Sequence, residues 1–169
     1  MLAALRERGL TLASAESLTG GLVGAALTAV AGSSDVYRGG VVCYATDLKA
    51  TLAGVPTALL EAYGPVAPQT AAALAAGVAG ACGADVGVAT TGVAGPSPQD
   101  GHPVGEVHVG VALVRRAAGE QEPSVRALRL TGSREEIREQ SVDAALALLL
   151  EVLAPTGAPG VGLAAAPRG

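Results

Sequence analysis

A chain of 169 residues, half of them hydrophobic, is long enough for one domain with a sizeable core and leaves little room for a second. Its formal net charge is −4, and the 11 basic residues form no stripe of the kind nucleic-acid binders carry. No uncharged apolar run reaches the roughly 20 residues that span a bilayer, the early charges of Met1 to Gly9 do not suit a secretory signal, and Cys43 and Cys82 give neither a metal spacing nor a disulfide framework. A reducing cytoplasm is the expected location.

In chain order, residues 2–8 read as a short helical start and Leu10 to Ala15 as a strand. Glu16-Ser17-Leu18-Thr19-Gly20-Gly21 breaks the pattern. Leu22, Ala25, Ala26, Ala29 and Val30 then recur at helical spacing until Gly32. Val41 to Tyr44 reads as a second strand, with helical stretches from Asp47 and after Pro56. Pro68 to Cys82 is small and apolar nearly all round, which predicts a helix covered on several sides. Val86 to Thr91 is a short buried strand running into Gly92-Val93-Ala94-Gly95-Pro96, and Ser97 to Pro103 is a polar loop.

Val104 to Val114 and Val125 to Leu130 read as an antiparallel hairpin with a charged turn around Gly119. Ser133 and Glu136 form a capping box that opens the last helix, whose buried face is Ile137, Ala144, Ala145, Leu148, Leu149 and Val152. From Ala154 onward Pro, Gly and Ala dominate without periodicity, as in a disordered tail. Strands alternating with helices, plus a hairpin, predict an α/β fold: a three-layer α/β/α domain with a mixed sheet. Ala, Val and Leu carry the hydrophobicity and there is no Trp or Phe, so helices should lie tight against that sheet.

Four segments can carry chemistry. Ser17, between a strand end and a helix start, meets free amides and the positive end of a helix dipole, features that suit an oxyanion as well as a phosphate; the alternative is that Ser17 or Thr19 merely caps the helix. In Tyr44-Ala45-Thr46-Asp47-Leu48-Lys49, strand alternation sets Tyr44 opposite Cys43, and Lys49 can swing back over the strand end as a base or remain a solvated helix lysine. Lys49 is the sole lysine beside ten arginines, which suggests work that a guanidinium cannot do. The glycines of Thr90-Thr91-Gly92-Val93-Ala94-Gly95-Pro96 either let amides approach a ligand or serve a tight turn. Arg134 and Arg138, one helical turn apart, either bind a phosphate or pair with Glu135, Glu139 or solvent. No Gly-x-Ser-x-Gly elbow is present. His102 and His108 lack a third ligand at metal spacing, so no metal is expected. Cys43 reads as packed core rather than nucleophile.

The runs A-E-S-L-T-G-G, G-G-V-V-C-Y-A-T-D-L-K, G-P-V, T-G-V-A-G-P and P-V-G-E-V resemble, in order and spacing, the CinA C-terminal domain family, which includes stand-alone nicotinamide mononucleotide deamidases. The resemblance covers roughly residues 5–152. It implies the three-layer fold, a serine amidase without metal or other cofactor, and frequent dimerisation. It implies Ser17 as nucleophile with Tyr44 and Lys49 as activating partners, and a site lined by the Thr91 to Gly95 loop and a last-helix arginine. The chain departs from the family pattern at Ser97-Pro98-Gln99-Asp100-Gly101 and at His102, where a lysine is common; these bear on substrate affinity more than on chemistry. Members often carry a larger N-terminal nucleotide-processing domain that these 169 residues do not include.

The expected reaction is hydrolysis of the carboxamide of nicotinamide mononucleotide to nicotinic acid mononucleotide and ammonia. Ser17, Tyr44 and Lys49 would be catalytic, and Thr19, Gly20, Gly21, Thr91, Gly92, Gly95 and Arg138 would bind substrate. The oxyanion would rest on amides near Gly20 and Gly21 or of Ser17 itself. The alternatives are a nucleotide-binding module without turnover that serves a competence or damage-inducible assembly, and a serine amidase for another small amide. Residues 1–153 would be the folded domain, with the tail dispensable. Truncation after Leu153 should therefore leave melting temperature and activity unchanged; a drop of several degrees would show that the tail packs on the domain.

Overall fold

The computed structural model describes residues 1–114 and 123–154. The turn around Gly119 and the tail beyond Ala154 lie outside them. Helix α1 (Leu2–Glu7) leads into strand β1 (Leu12–Glu16), helix α2 (Leu22–Thr28), a single 3-10 turn and strand β2 (Tyr37–Val42). Helices α3 (Thr46–Thr51), α4 (Thr57–Tyr63) and α5 (Pro68–Cys82) follow. Strands β3 (Val86–Gly92), β4 (Glu106–Leu113) and β5 (Ser124–Arg129) precede helix α6 (Arg134–Val152). No helix among the described residues is long and apolar enough to cross a membrane.

The sheet has the order β2-β1-β3-β4-β5. β2, β1 and β3 are parallel, and β4 and β5 continue antiparallel, so the sheet is mixed as expected. One face carries Val86, Val88, Val107 and Val109 against Leu5, Leu27, Ile137 and Leu149 of α1, α2 and α6. The other carries Ala13, Ala15, Ala89 and Ala112 against Leu74, Ala75 and Val78 of α5, with Val55 alongside. Helices on both faces make three layers. The interior strand β1, paired on both sides, is therefore buried at every residue instead of alternating.

β1 is also where the chain changes face. The crossover from β1 to β2 uses α2 on the first face, and the one from β2 to β3 uses α3 to α5 on the second. In such sheets a crevice opens beyond the carboxyl ends of the strands at this switch point. Glu16, Val42 and Gly92 end the three parallel strands there.

Most elements lie where periodicity sets them, α5 with the same bounds as expected. It starts with Pro68 in the first turn, where no amide is needed, and ends at left-handed Gly83. The capping box of α6 is formed, Ser133 accepting from the Glu136 amide while Glu136 accepts from the Ser133 amide. Ile137, Ala145, Leu148 and Leu149 are buried on α6 as expected, joined by Ser141 and Val142, whereas Ala144 and Val152 are only partly covered.

β2 is the main correction. It spans 37–42 rather than 41–44, pairing Tyr37 with Leu12 and Val42 with Glu16. Gly39 and Gly40, poor strand formers, hide it in the sequence. Gly40 is required there because a side-chain carbon would stand 2.2 Å from Ser14 Oγ.

The tight helix-to-sheet packing expected from composition is present. At Gly87 of β3 an added Cβ would stand 1.8 Å from the Ala75 carbonyl oxygen of α5, closer than any real contact. Gly87→Ala should push α5 off the sheet and cost about 3 kcal/mol, lowering the melting temperature by roughly 6–12 °C for a domain of this size. A thermal melt within about 2 °C of wild type would show that the helix can slide without penalty.

Candidate active site

Glu16 closes strand β1 and is 2% exposed. A buried carboxylate needs donors, and four are supplied. The amides of Gly21, Val23 and Gly24 donate to it at 2.9, 3.0 and 2.8 Å, and the Thr19 hydroxyl at 2.8 Å. Glu16 thus caps α2 from upstream, where its charge also meets the positive end of the helix. The chain between is drawn into a turn. Ser17 N donates to Thr90 O at 3.0 Å and Gly20 N to Ser17 O at 3.1 Å, with Gly20 and Gly21 at φ +59° and +103°.

These bonds bear on the capping role left open for the segment. Ser17 does not cap α2, and Thr19 does not touch solvent: its hydroxyl lies between Glu16 and Thr90 Oγ1, 2.7 Å away. The amides of Ser17, Gly20 and Gly21, expected to hold an oxyanion, already have acceptors inside the chain. Among amides 17–25, those of Leu18 and Thr19 are the ones without an acceptor among the described residues.

Lys49 comes up from α3 and is 1% exposed, among the largest fully buried side chains. Its Nζ stands 3.2 Å from Ser17 Oγ, 2.9 Å from Cys43 O and 3.4 Å from Tyr44 O. No carboxylate lies within ion-pair distance of it among the described residues. Burial pushes its pKa down, against smaller raising influences from Cys43 and Asp47. A neutral amine has two N–H donors and one lone pair. The two carbonyls can take the donors, which leaves the lone pair for the Ser17 hydroxyl. Once protonated, the third N–H points back at Oγ.

Ser17, Leu18, Tyr44 and Lys49 line an open cleft together with Thr91 to Gly95. Ser97 and Gln99 of the polar loop also line it. Gly92 is close-packed: a Cβ would stand 2.4 Å from Glu106 O. Thr91 turns its hydroxyl onto Pro65 O at 2.6 Å, tying the segment before α5 to the cleft wall. Behind this wall Glu106 gathers Arg129 at 2.6 Å, His102 at 3.3 Å and His108 at 3.4 Å. Burial raises the Glu106 pKa, but these donors outweigh it and the net shift is downward.

Tyr44 is 57% exposed and Cys43 fully buried, so the two face opposite ways as expected, although neither is in a strand. Burial raises the Cys43 thiol pKa, in keeping with a core residue. The Tyr44 hydroxyl bonds to Arg134 Nη2 at 2.9 Å, and only its main-chain oxygen approaches Lys49. Arg134 also donates to Gly95 O and lines the cleft. Arg138, expected on substrate, is engaged elsewhere, donating from Nε to Leu18 O at 3.0 Å and from Nη2 to Thr19 O at 2.9 Å. The cleft therefore gathers Ser17, Tyr44, Lys49, Thr91, Gly92 and Gly95, and not Thr19, Gly20, Gly21 or Arg138. Glu16 was missed altogether. The available signal was a charge at the end of a run otherwise small and apolar, which must be paired if the run is a central strand.

The family model of the CinA C-terminal domain matches residues 1–153. A CinA-like protein of Frankia casuarinae is 49% identical over 154 residues, 91% of this chain and 34% of that protein. A relative from Geobacillus kaustophilus, whose name places it among competence-damage inducible proteins, is 48% identical over 150 residues, 89% of this chain and 35% of its own. The chain thus spans about a third of the length of these relatives. The solved structure of competence/damage inducible protein CihA from Agrobacterium tumefaciens has a TM-score of 0.81 at 36% identity, covering 89% of this chain and 90% of that one.

Glu16→Gln tests the capping role, because it would turn one acceptor oxygen into a donor facing donors. The expected loss is about 2–3 kcal/mol, read as a melting temperature lower by several degrees. An unchanged melt would show that α2 does not depend on this carboxylate.

Proposed function

The chain belongs to the CinA C-terminal domain family, and from that premise we propose that it is a serine amidase that hydrolyses the carboxamide of nicotinamide mononucleotide. The observation that carries the reading is the buried Lys49 amine 3.2 Å from Ser17 Oγ, without a carboxylate partner among the described residues. A lysine so placed can be neutral at working pH and take the serine proton.

In this reading Ser17 Oγ attacks the amide carbon while its proton passes to Lys49. The carbonyl oxygen becomes an oxyanion, for which the Leu18 and Thr19 amides are the open donors of the turn. The intermediate collapses as Lys49 returns the proton to the leaving nitrogen and ammonia departs. Water then attacks the ester, again giving a proton to Lys49, and the carboxylate leaves as Ser17 regains its hydrogen. Tyr44, bonded through its hydroxyl to Arg134, acts as a wall and orienting group rather than a proton relay. The substrate phosphate is assigned to Arg134, which uses two of its five N–H donors on Gly95 and Tyr44 and keeps the others for a ligand.

An ammonia-release assay on the mononucleotide tests this directly. Ser17→Ala should abolish turnover while the mononucleotide still binds. Lys49→Arg should be nearly as inactive as Lys49→Ala, since arginine keeps the charge but does not deprotonate near neutrality. The sign of the pH dependence follows from the lowered pKa of Lys49: the base works when neutral, so kcat should rise with pH through that pKa and flatten above it. Lys49→Arg retaining a tenth of wild-type rate, a barrier change of about 1.4 kcal/mol, would reduce the lysine to an electrostatic aid. Binding without ammonia release by the wild type would leave a nucleotide-binding module instead.

A further inference from the structure

We propose that Arg138 is a positioning residue that holds the oxyanion donors of the Ser17–Gly21 turn in their working orientation; the inference rests on the serine-amidase reading above. Arg138 lies in α6, some 120 residues from the turn it touches. Its guanidinium bonds two consecutive carbonyls, those of Leu18 and Thr19. Each carbonyl shares a rigid trans peptide with the next N–H, which points the opposite way. Fixing Leu18 C=O therefore fixes Thr19 N–H, and fixing Thr19 C=O fixes Gly20 N–H. The bond from Gly20 N to Ser17 O fixes Leu18 N–H by the same rule. All three peptide planes after Ser17 are pinned, two of them by one side chain.

The turn needs such a pin. Gly20 and Gly21 follow it at positive φ, and glycine offers little steric resistance to rotation of the adjoining peptide groups. A rotation that carried Leu18 O or Thr19 O toward the cleft would put an acceptor where a donor is wanted. The guanidinium also packs on this spot, with Nη2 3.6 Å from where a Gly20 Cβ would stand. Of the two amides that the turn leaves open, Thr19 belongs to a peptide that Arg138 holds directly, and Leu18 to the one held by the bond from Gly20, whose own amide Arg138 orients through Thr19 O. Leu18 lines the cleft beside Ser17. The planar fork suits two adjacent carbonyls, whereas a lysine ammonium can follow them only as a point charge.

The test compares wild type, Ser17→Ala, Arg138→Met and Arg138→Lys in two assays. One is steady-state ammonia release from the mononucleotide. The other is labelling by an alkyl fluorophosphonate, in which Ser17 Oγ bonds phosphorus, fluoride leaves and the hydroxyl proton passes to Lys49. The second reads nucleophile and oxyanion donors whatever the natural amide is.

Arg138→Met should lower kcat by roughly 10- to 100-fold, short of the 10²–10³ seen when a donor is lost outright. KM should stay within about threefold, and labelling should slow by a factor similar to that in kcat. Arg138→Lys should recover part of both rates, and it carries the same two readouts if the methionine variant does not fold. Rates within about twofold of wild type in these variants, or a loss that falls on KM with labelling unchanged, would overturn the positioning role. Wild type that is not labelled, or Ser17→Ala labelled at the wild-type rate, would overturn the nucleophile assignment and this inference with it.

Discussion

Glu16 carries a carboxylate to the buried end of strand β1, and the chain answers it with main-chain amides and a hydroxyl instead of a cation. That choice organises what surrounds it. Because the first turn of α2 satisfies the acid, the helix must begin beside the end of β1, and the residues between fold into a tight turn that lifts Ser17 into the crevice. The same choice isolates Lys49. A buried ammonium next to a buried carboxylate would form a stable pair with its proton held firmly. With Glu16 committed to α2, Lys49 faces two carbonyls and a hydroxyl, and burial lowers its proton affinity against the smaller raising influences of Cys43 and Asp47.

Topology places these groups at one point. The first crossover runs over one face and the second over the other, so the segments after β1, β2 and β3 diverge around the same opening. Each contributes a different function: Ser17 follows β1, the carbonyls of Cys43 and Tyr44 follow β2, and the close-packed Gly92 to Gly95 wall follows β3. α5 comes down on β3 and β4 with glycine clearances, and the segment before it is tied to the same strand by the bond from Thr91 to Pro65 O. Small side chains throughout this layer are thus a structural requirement at Gly87 and Gly110, where a Cβ would meet carbonyl oxygens of Ala75 and Ala71.

What could be read from the sequence followed from how local each signal is. α5 and the capped start of α6 depend on residues within a few positions of one another, and both stand as periodicity and capping chemistry set them. The solitary lysine among ten arginines marked Lys49 as unusual, and in the structure its side chain is fully buried beside Ser17. β2 was half hidden, because Gly39 and Gly40 weaken the strand pattern for a reason that lies across the sheet at Ser14. Glu16 was invisible as a cap, since its donors come from residues five to eight positions on and only the turn brings them back. The division between Arg134 and Arg138 was equally out of reach. Residues four apart share a helix face, and only the tertiary arrangement says which one overlooks the cleft.

That division has a consequence for specificity. α6 runs past the mouth of the site, so its first turn overlooks the cleft and its second turn overlooks the Ser17 loop. A guanidinium in the first turn is open to solvent and can take up a ligand anion by exchanging water. One in the second is enclosed by carbonyls and has its geometry set before any ligand arrives. On the proposed amidase function, affinity for the distal part of a substrate would reside with Arg134, Tyr44 and the Ser97 to Gln99 rim, all of which line the cleft. The reacting end would be fixed separately by Glu16, Lys49 and Arg138, whose hydrogen bonds go to other parts of the chain than that rim. If the proposed amidase function holds, a chain built this way could change the amide it accepts through its loop without rebuilding the bond-breaking groups.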